Sequence, residues 1–405
     1  MTSKSWSAKS ALVCVTISLL ACAPAAAQPA PSKTPAIALI DAADAPQWQT
    51  WAKDIGWQVL APATTPGNFD QRVLALASTV RDAIQTSNVD PARVYIAGRA
   101  EAAAAVLYTI SRVPDLWAAG LALGGSPQPA IDTNRIFTAN FTNVPVLWAS
   151  AGADDEALAA KLKKAGLNIE WRSANGFTNA AVLEWLAQHH RDDFPAEIDC
   201  ETNSPNFAHC YWIEMSKFDV NERNDVLPTT VLPGGSGAAL DLGGFGYKTD
   251  DPGPGILVSY LPDKYNGPLK MNDRIMALDG KPLENATRFA ETMNRTTDER
   301  PVVATVQRGK DRIRVETRIV VPRRDNLVTA RVEAQYLAAD KEIQIVSRTI
   351  SEMRVTIPPA WALGGKLYWN GLSLEKIDSP GCIILTIEKE LLHAARCPET
   401  LPVGK

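Results

Sequence analysis

At 405 residues, with 46% hydrophobic and 21% charged side chains, the chain has the composition of a folded globular protein and the length of two or three domains. A formal net charge of −4 excludes the basic footprint of a nucleic-acid-binding protein. No C-x2-C pair or i,i+4 histidine pair points to a metal, and no cofactor motif is present, so neither is expected.

The N-terminus reads as an export signal. Lys4 and Lys9 precede an apolar run over 11–21 that is too short for a stable membrane anchor. Ala25-Ala26-Ala27 then offers a small-residue cleavage site, giving a signal peptide over 1–27 and a Pro/Ala linker over 28–35. A second reading stays open: Leu19-Leu20-Ala21-Cys22 has the outline of a lipoprotein box, and the protein meets a membrane only if Cys22 is acylated. Both readings place the mature chain in the periplasm or outside the cell. Four cysteines follow the leader, Cys200, Cys210, Cys382 and Cys397, an even number that suits an oxidising compartment. Three pairings are formally allowed, and the local pairs Cys200–Cys210 and Cys382–Cys397 are the simplest.

Residues 36–195 alternate short apolar runs with amphipathic stretches, the pattern of a parallel sheet with crossover helices. Strands are predicted over 37–40, 57–60, 94–97, 118–123, 144–149 and 168–172. Helices are predicted over 48–55, 71–85, 100–112, 156–165 and 179–189, and Asp90-Pro91-Ala92-Arg93 is predicted to be a turn. The organising stretch is 94–105, where a β-branched run ends at Gly98 and an alanine-rich helix begins two residues later. Gly98 and Ala102 flank Ala100 as the glycines flank serine in G-x-S-x-G, the sharp strand-to-helix turn that presents a nucleophile. Ala100 has no oxygen to attack with.

Residues 89–127 resemble the elbow region of secreted α/β-hydrolase-fold esterases, particularly the polyhydroxybutyrate-depolymerase and feruloyl-esterase type. Residues 144–166 and 168–195 resemble the segments that carry the acid and the histidine in those enzymes. The resemblance implies an α/β fold and puts the acid at Asp154 or Asp155. It puts the base in Gly176-Phe177-Thr178-Asn179, where Phe177 stands for histidine, and the oxyanion loop at Asp41-Ala42-Ala43-Asp44. Nucleophile and base are thus absent. Asp41, Asp44, Glu101 and Asp154/Asp155 are expected to form an acidic rim opposing a developing oxyanion.

Residues 231–323, which open on the linker-like Leu232-Pro233-Gly234-Gly235, resemble a PDZ domain, most closely over 268–283, where Asn272 stands for a left-handed glycine. Gly244-Phe245-Gly246-Tyr247 occupies the place of the carboxylate loop of that family. There, consecutive backbone N–H groups converge on the C-terminal carboxylate of a peptide that adds as a strand beside a helix, here 285–293.

Residues 196–225 and 326–397 read as strands: an aromatic one over 208–215, then 331–337, 342–349, 353–357, 366–369 and 382–387. They resemble the small β-module of secreted hydrolases, into which the PDZ segment is inserted. The reading that follows is an exported, catalytically degenerate α/β-hydrolase-like protein that binds peptide or protein C-termini. The alternative is an active carboxylic-ester hydrolase or peptidase using non-standard residues.

Overall fold

The computed structural model describes residues 33–62, 67–152, 154–175, 178–224, 226–235, 237–321, 328–361, 364–377 and 379–398. The expected signal peptide, Cys22, linker residues 28–32, Gly176 and Phe177 lie outside them.

Strand β1 (Thr34–Leu39) sends alternate side chains to opposite sides. Ala36 and Ala38 enter one core, and Ile37 and Leu39 enter another. Burial on both faces requires helices on both, and the chain supplies them in order. After β1 come α1 (Ala45–Lys53), β2 (Gln58–Leu60), α2 (Phe69–Thr86), β3 (Val89–Arg99) and α3 (Ala102–Arg112). Then follow β4 (Ala119–Leu123), α4 (Gln128–Ile131), β5 (Val146–Ser150), α5 (Asp155–Lys164), β6 (Ile169–Ser173) and α6 (Asn179–Ala187).

The six strands form a parallel sheet in the order β2-β1-β3-β4-β5-β6. Val73 and Leu76 of α2, Val106 of α3 and Leu162 of α5 pack into the first core. Trp48 of α1 and Val182 and Trp185 of α6 pack into the second. The small residues have a packing reason: a Cβ on Gly120 would stand 2.5 Å from Ile110 Cδ1 of α3. Asn68 and Gln71 close a reciprocal capping box at the start of α2. Asp90–Arg93, expected as a turn, lies within β3 instead; Asp90 accepts from the Ala92 N–H at 3.0 Å and pairs with Arg93 at 2.6 Å. The register on β1 jumps from Val89 to Val94, so these four residues bulge out of the ladder and keep a local turn bond within the bounds of the strand.

Beyond it come β7 (Glu197–Thr202), β8 (His209–Cys210) and β9 (Ile213–Phe218). The single aromatic strand expected over 208–215 is therefore a hairpin. Its turn is Tyr211-Trp212, with Tyr211 at φ +53°, and Cys210 pairs with Ile213.

The next unit holds β10 (Ala239–Leu240), β11 (Gly246–Tyr247), β12 (Ile256–Tyr260), β13 (Arg274–Leu278), β14 (Lys281–Pro282), α7 (Ala286–Arg295), β15 (Arg300–Arg308) and β16 (Asp311–Val320). Its sheet runs β10-β16-β15-β13-β12-β11, with β14 on β13. Ala286, Phe289 and Met293 turn one face of α7 into its core. Asn272 adopts φ +66°, the left-handed conformation expected of it.

The chain ends with β17 (Ala330–Leu337), β18 (Glu342–Arg348), β19 (Ile350–Ile357), β20 (Lys366–Trp369), β21 (Leu372–Leu374), β22 (Gly381–Glu388) and β23 (Leu391–Arg396). These return to the earlier strands: β17 pairs with β7, and β19 with β9. The two resulting five-stranded sheets enclose a core with Trp212, Met353 and Trp369 at its centre. Trp361 closes that core, stacked on Tyr336 with ring centroids 4.5 Å apart.

Candidate functional site

The strand order reverses between β1 and β3, since β2 lies on one side of β1 and β3 on the other. In open α/β sheets, ligands bind in the crevice outside the C-terminal strand ends at such a point. A cavity of about 660 Å³ opens there. Asp44 follows β1, Arg99 ends β3 with Ala100 after it, Gly124 and Gly125 follow β4, and Ala174 follows β6. Trp51 and Gln47 of α1 and Asn179 and Val182 of α6 complete the walls.

Ala100 sits at φ +47°, a left-handed conformation that costs a side-chain-bearing residue roughly 1–2 kcal/mol. It is held there from three sides. Its N–H donates to the Leu123 carbonyl at 2.8 Å, and its own carbonyl accepts from the Ala103 N–H at 3.1 Å. A Cβ on Gly98 would meet the Ala102 carbonyl oxygen at 2.5 Å, and one on Gly125 would meet the Ala100 oxygen at 2.0 Å. The sharp turn the sequence implies is built, with a methyl group at its tip.

The other expected catalytic positions scatter. The Asp155 carboxylate accepts from the Gly152 N–H at 3.0 Å at the start of its own helix, Asp154 is exposed, and neither lines the cavity. Asp41 caps a short 3₁₀ turn through the Ala43 N–H at 2.9 Å. The acidic rim is thus not assembled in the cavity lining, where among the described residues Asp44 is the one acid, together with one cation, Arg99. The guanidinium of Arg99 lies 5.5 Å from the Trp51 ring centroid. None of the four histidines lines the cavity. His189 bonds the Trp185 carbonyl at 2.8 Å, and His209 is engaged by Asp115.

The Gly244–Tyr247 segment leads into β11, the terminal strand of its sheet; among the described residues no strand pairs with its outer edge. Gly243 and Gly244 take φ +80° and +73°. The ring of Tyr247 meets Phe289 of α7 edge-on at 5.5 Å, which fixes the spacing between strand and helix. The two loop glycines serve different ends. A Cβ on Gly246 would stand 2.9 Å from the Tyr260 Cβ of β12, so Gly246 is needed for strand pairing, whereas a Cβ on Gly244 meets nothing within 4 Å.

Both local disulfides are present, Cys200–Cys210 and Cys382–Cys397, with Cα atoms 6.2 and 5.4 Å apart. They suit an oxidising environment. Among the described residues no helix is long and apolar enough to cross a membrane, and no group of three or more His, Cys, Asp or Glu residues is placed to hold a metal ion.

Sequence reasoning missed three polar clusters because each joins distant segments. Asp115 meets His209, and Asp70 accepts from the Tyr108 hydroxyl at 2.7 Å while pairing with Arg112 and Arg135, both at 3.2 Å. Glu201 receives Thr229 Oγ1 at 2.7 Å, the Thr230 N–H at 2.6 Å, Arg348 at 3.0 Å and the Thr329 hydroxyl.

No protein-family model matches the chain, and no curated protein matches it. Among solved structures, a thermostable esterase is 18% identical over 40% of this chain, with a TM-score of 0.29; the chain spans 56% of that protein's length. Esterase PE8 is 16% identical over 39% of this chain and 91% of its own, with a TM-score of 0.29. A variant of the Arabidopsis thaliana protein SOBER1 is 14% identical over 38% of this chain and 98% of its own, again with a TM-score of 0.29.

Proposed function

We propose that this is an exported binding protein in which an α/β-hydrolase-like part has lost its ester chemistry and a PDZ-like unit, inserted between strands of the β-module, captures peptide or protein C-termini. The observation that carries the reading is the unpaired outer edge of β11. It follows a loop with two left-handed glycines and runs beside α7 at a spacing set by Tyr247 and Phe289. A peptide added as a strand gains main-chain hydrogen bonds along that edge, and its carboxylate gains charge-assisted bonds from loop N–H groups.

The test uses the full mature chain and an array of peptides with free C-termini, read by fluorescence anisotropy. Binders should lose about tenfold or more in affinity when amidated at the C-terminus. Equal binding of free and amidated peptides, or no binder in the array, rejects the carboxylate-loop reading. The second reading, an ester hydrolase working through other residues, has one observation in its favour: the strained turn at Ala100 still borders a cavity of about 660 Å³.

A further inference from the structure

Among the described residues Arg99 is the one cation in the lining of the cavity at the strand ends, and it is half-buried. Among the described residues its guanidinium meets no carboxylate within 4.0 Å and makes no side-chain hydrogen bond; its recorded contact is the Trp51 ring. Three other inward-facing arginines carry acidic partners, whereas Arg72, like Arg99, lies against a ring, that of Phe69. Arg112 is paired with Asp70, Arg331 with Asp199 and Arg348 with Glu201. A half-exposed guanidinium lining a cavity with its donors unused is a place where an anion from outside fits. Asp44 shares the lining, but it forms no ion pair with Arg99 and leaves that fork open.

The rest of the wall fixes the kind of anion. Leu123 and the Ala100 methyl present apolar surface near Arg99, among polar groups from Gln47 and Asn179, and the Trp51 ring centroid lies 5.5 Å from the guanidinium. Phosphates and sulfates have no apolar body to cover that surface. A carboxylate matches the guanidinium fork with two parallel N–H···O bonds and leaves its substituent against the wall. A hydroxyl at position 100 would reach toward such a ligand, whereas a methyl only packs on it.

We infer that the cavity beside Ala100 is a binding site for small carboxylic acids with an apolar or aromatic body, anchored by Arg99. This site is distinct from the peptide groove at β11 and does not depend on it.

The experiment is calorimetric titration of the full mature chain with acetate, hexanoate and benzoate, and with benzamide as the neutral counterpart of benzoate. Hexanoate or benzoate should bind saturably and more tightly than acetate, and benzamide should bind about tenfold or more weakly than benzoate. Arg99→Met keeps a chain to cover Trp51 and should weaken benzoate by a similar factor, with Arg99→Lys intermediate. The unchanged thermal midpoint of Arg99→Met serves as the folding control; if that variant unfolds, the benzoate–benzamide comparison on the native chain decides. Saturable benzoate binding that survives Arg99→Met belongs to another site, the β11 loop included, and overturns the assignment. So does failure of all three acids to bind, or equal binding of benzamide and benzoate. Because each arm reads binding, the result is independent of whether any ester is turned over.

Discussion

His209 and Asp115, ninety-four residues apart in sequence, are joined by a 2.7 Å hydrogen bond between Nδ1 and Oδ2. Asp115 lies between α3 and β4 and is buried, and His209 belongs to β8, so the pair fastens the β-module to the parallel-sheet unit. The hydrogen bond to Asp115 raises the imidazole pKa above its ordinary 6.5 despite partial burial. Burial pushes the Asp115 carboxyl up, but the bond and attraction to His209, helped by Arg81 and Arg191, outweigh it and leave the pKa below 3.8.

The sign of the pH dependence follows from linkage. A raised histidine pKa contributes stability that is full below pH 6.5 and is lost as pH rises through the folded-state value. A lowered aspartate pKa contributes stability that is full above pH 3.8 and is lost as pH falls through its folded-state value. The thermal midpoint of the native chain should therefore exceed that of His209→Gln by a constant amount between about pH 4 and 6.5, and the difference should shrink on both sides. A difference that grows above pH 7 would show that the pair does not carry this linkage.

Glu201 is the second fastening, and its loss should be severe. The carboxylate is fully buried, pairs with Arg348 and accepts from Thr229, Thr230 and Thr329, which lie on either side of the inserted unit. Removing one partner of a buried ion pair leaves the other uncompensated, at a typical cost of about 3–5 kcal/mol. Glu201→Ala should show that loss in urea unfolding, together with faster proteolysis near residues 226–231. Glu201→Gln keeps the acceptor oxygen and should cost less.

How far the sequence revealed this molecule depended on the distance over which each signal acts. The predicted strands and helices of the first 195 residues follow from periodicity, and each has a counterpart near its predicted bounds, although β3 starts five residues early at Val89 and the short α4 was not predicted. The turn at Ala100 was legible because Gly98 and Ala102 are small for a steric reason that any sequence with this turn must respect. The hairpin at Tyr211-Trp212 was not, because its left-handed residue is a tyrosine and carries no glycine or asparagine signal. Strand β23 also escaped, since its exposed Leu391, His393 and Arg396 show no core-facing alternation. The meeting of Arg99 with Trp51, and of Asp115 with His209, depends on the folded topology and leaves no local pattern.

The disulfides should matter unequally to the two sheets. Cys200 and Cys210 are both buried, within a core that also holds Trp212 and Trp369, whereas Cys382 lies next to the exposed outer strand β23. Each closes a short loop, and loss of such a link costs about 2–4 kcal/mol. Limited reduction should open Cys382–Cys397 first, detected by alkylation and mass mapping. Cys200/Cys210 should be protected until global unfolding. Simultaneous alkylation of all four thiols would contradict that order.

The last prediction concerns the turn at Ala100 and separates its backbone from its chemistry. An alanine at φ +47° pays a steric penalty that glycine does not, while glycine gains unfolded-chain entropy of roughly 0.4–1 kcal/mol. The two effects nearly offset, so Ala100→Gly should leave stability unchanged or raise it by up to about 1 kcal/mol. At an ordinary helical position the same change destabilises. Gly125→Ala should do the reverse, since its Cβ would lie 2.0 Å from the Ala100 oxygen. Chemistry should not return with the nucleophile. Ala100→Ser supplies an oxygen, but acyl transfer also needs a base to take its proton. No histidine lines the cavity; His189 and His209 are committed elsewhere. Native and Ala100→Ser proteins should thus show no turnover of short aryl esters and no labelling by fluorophosphonates. Ester hydrolysis by the native chain that disappears when Ala100→Phe fills the cavity at unchanged thermal midpoint would establish catalysis by other residues, and the binding-protein reading of this domain would fall.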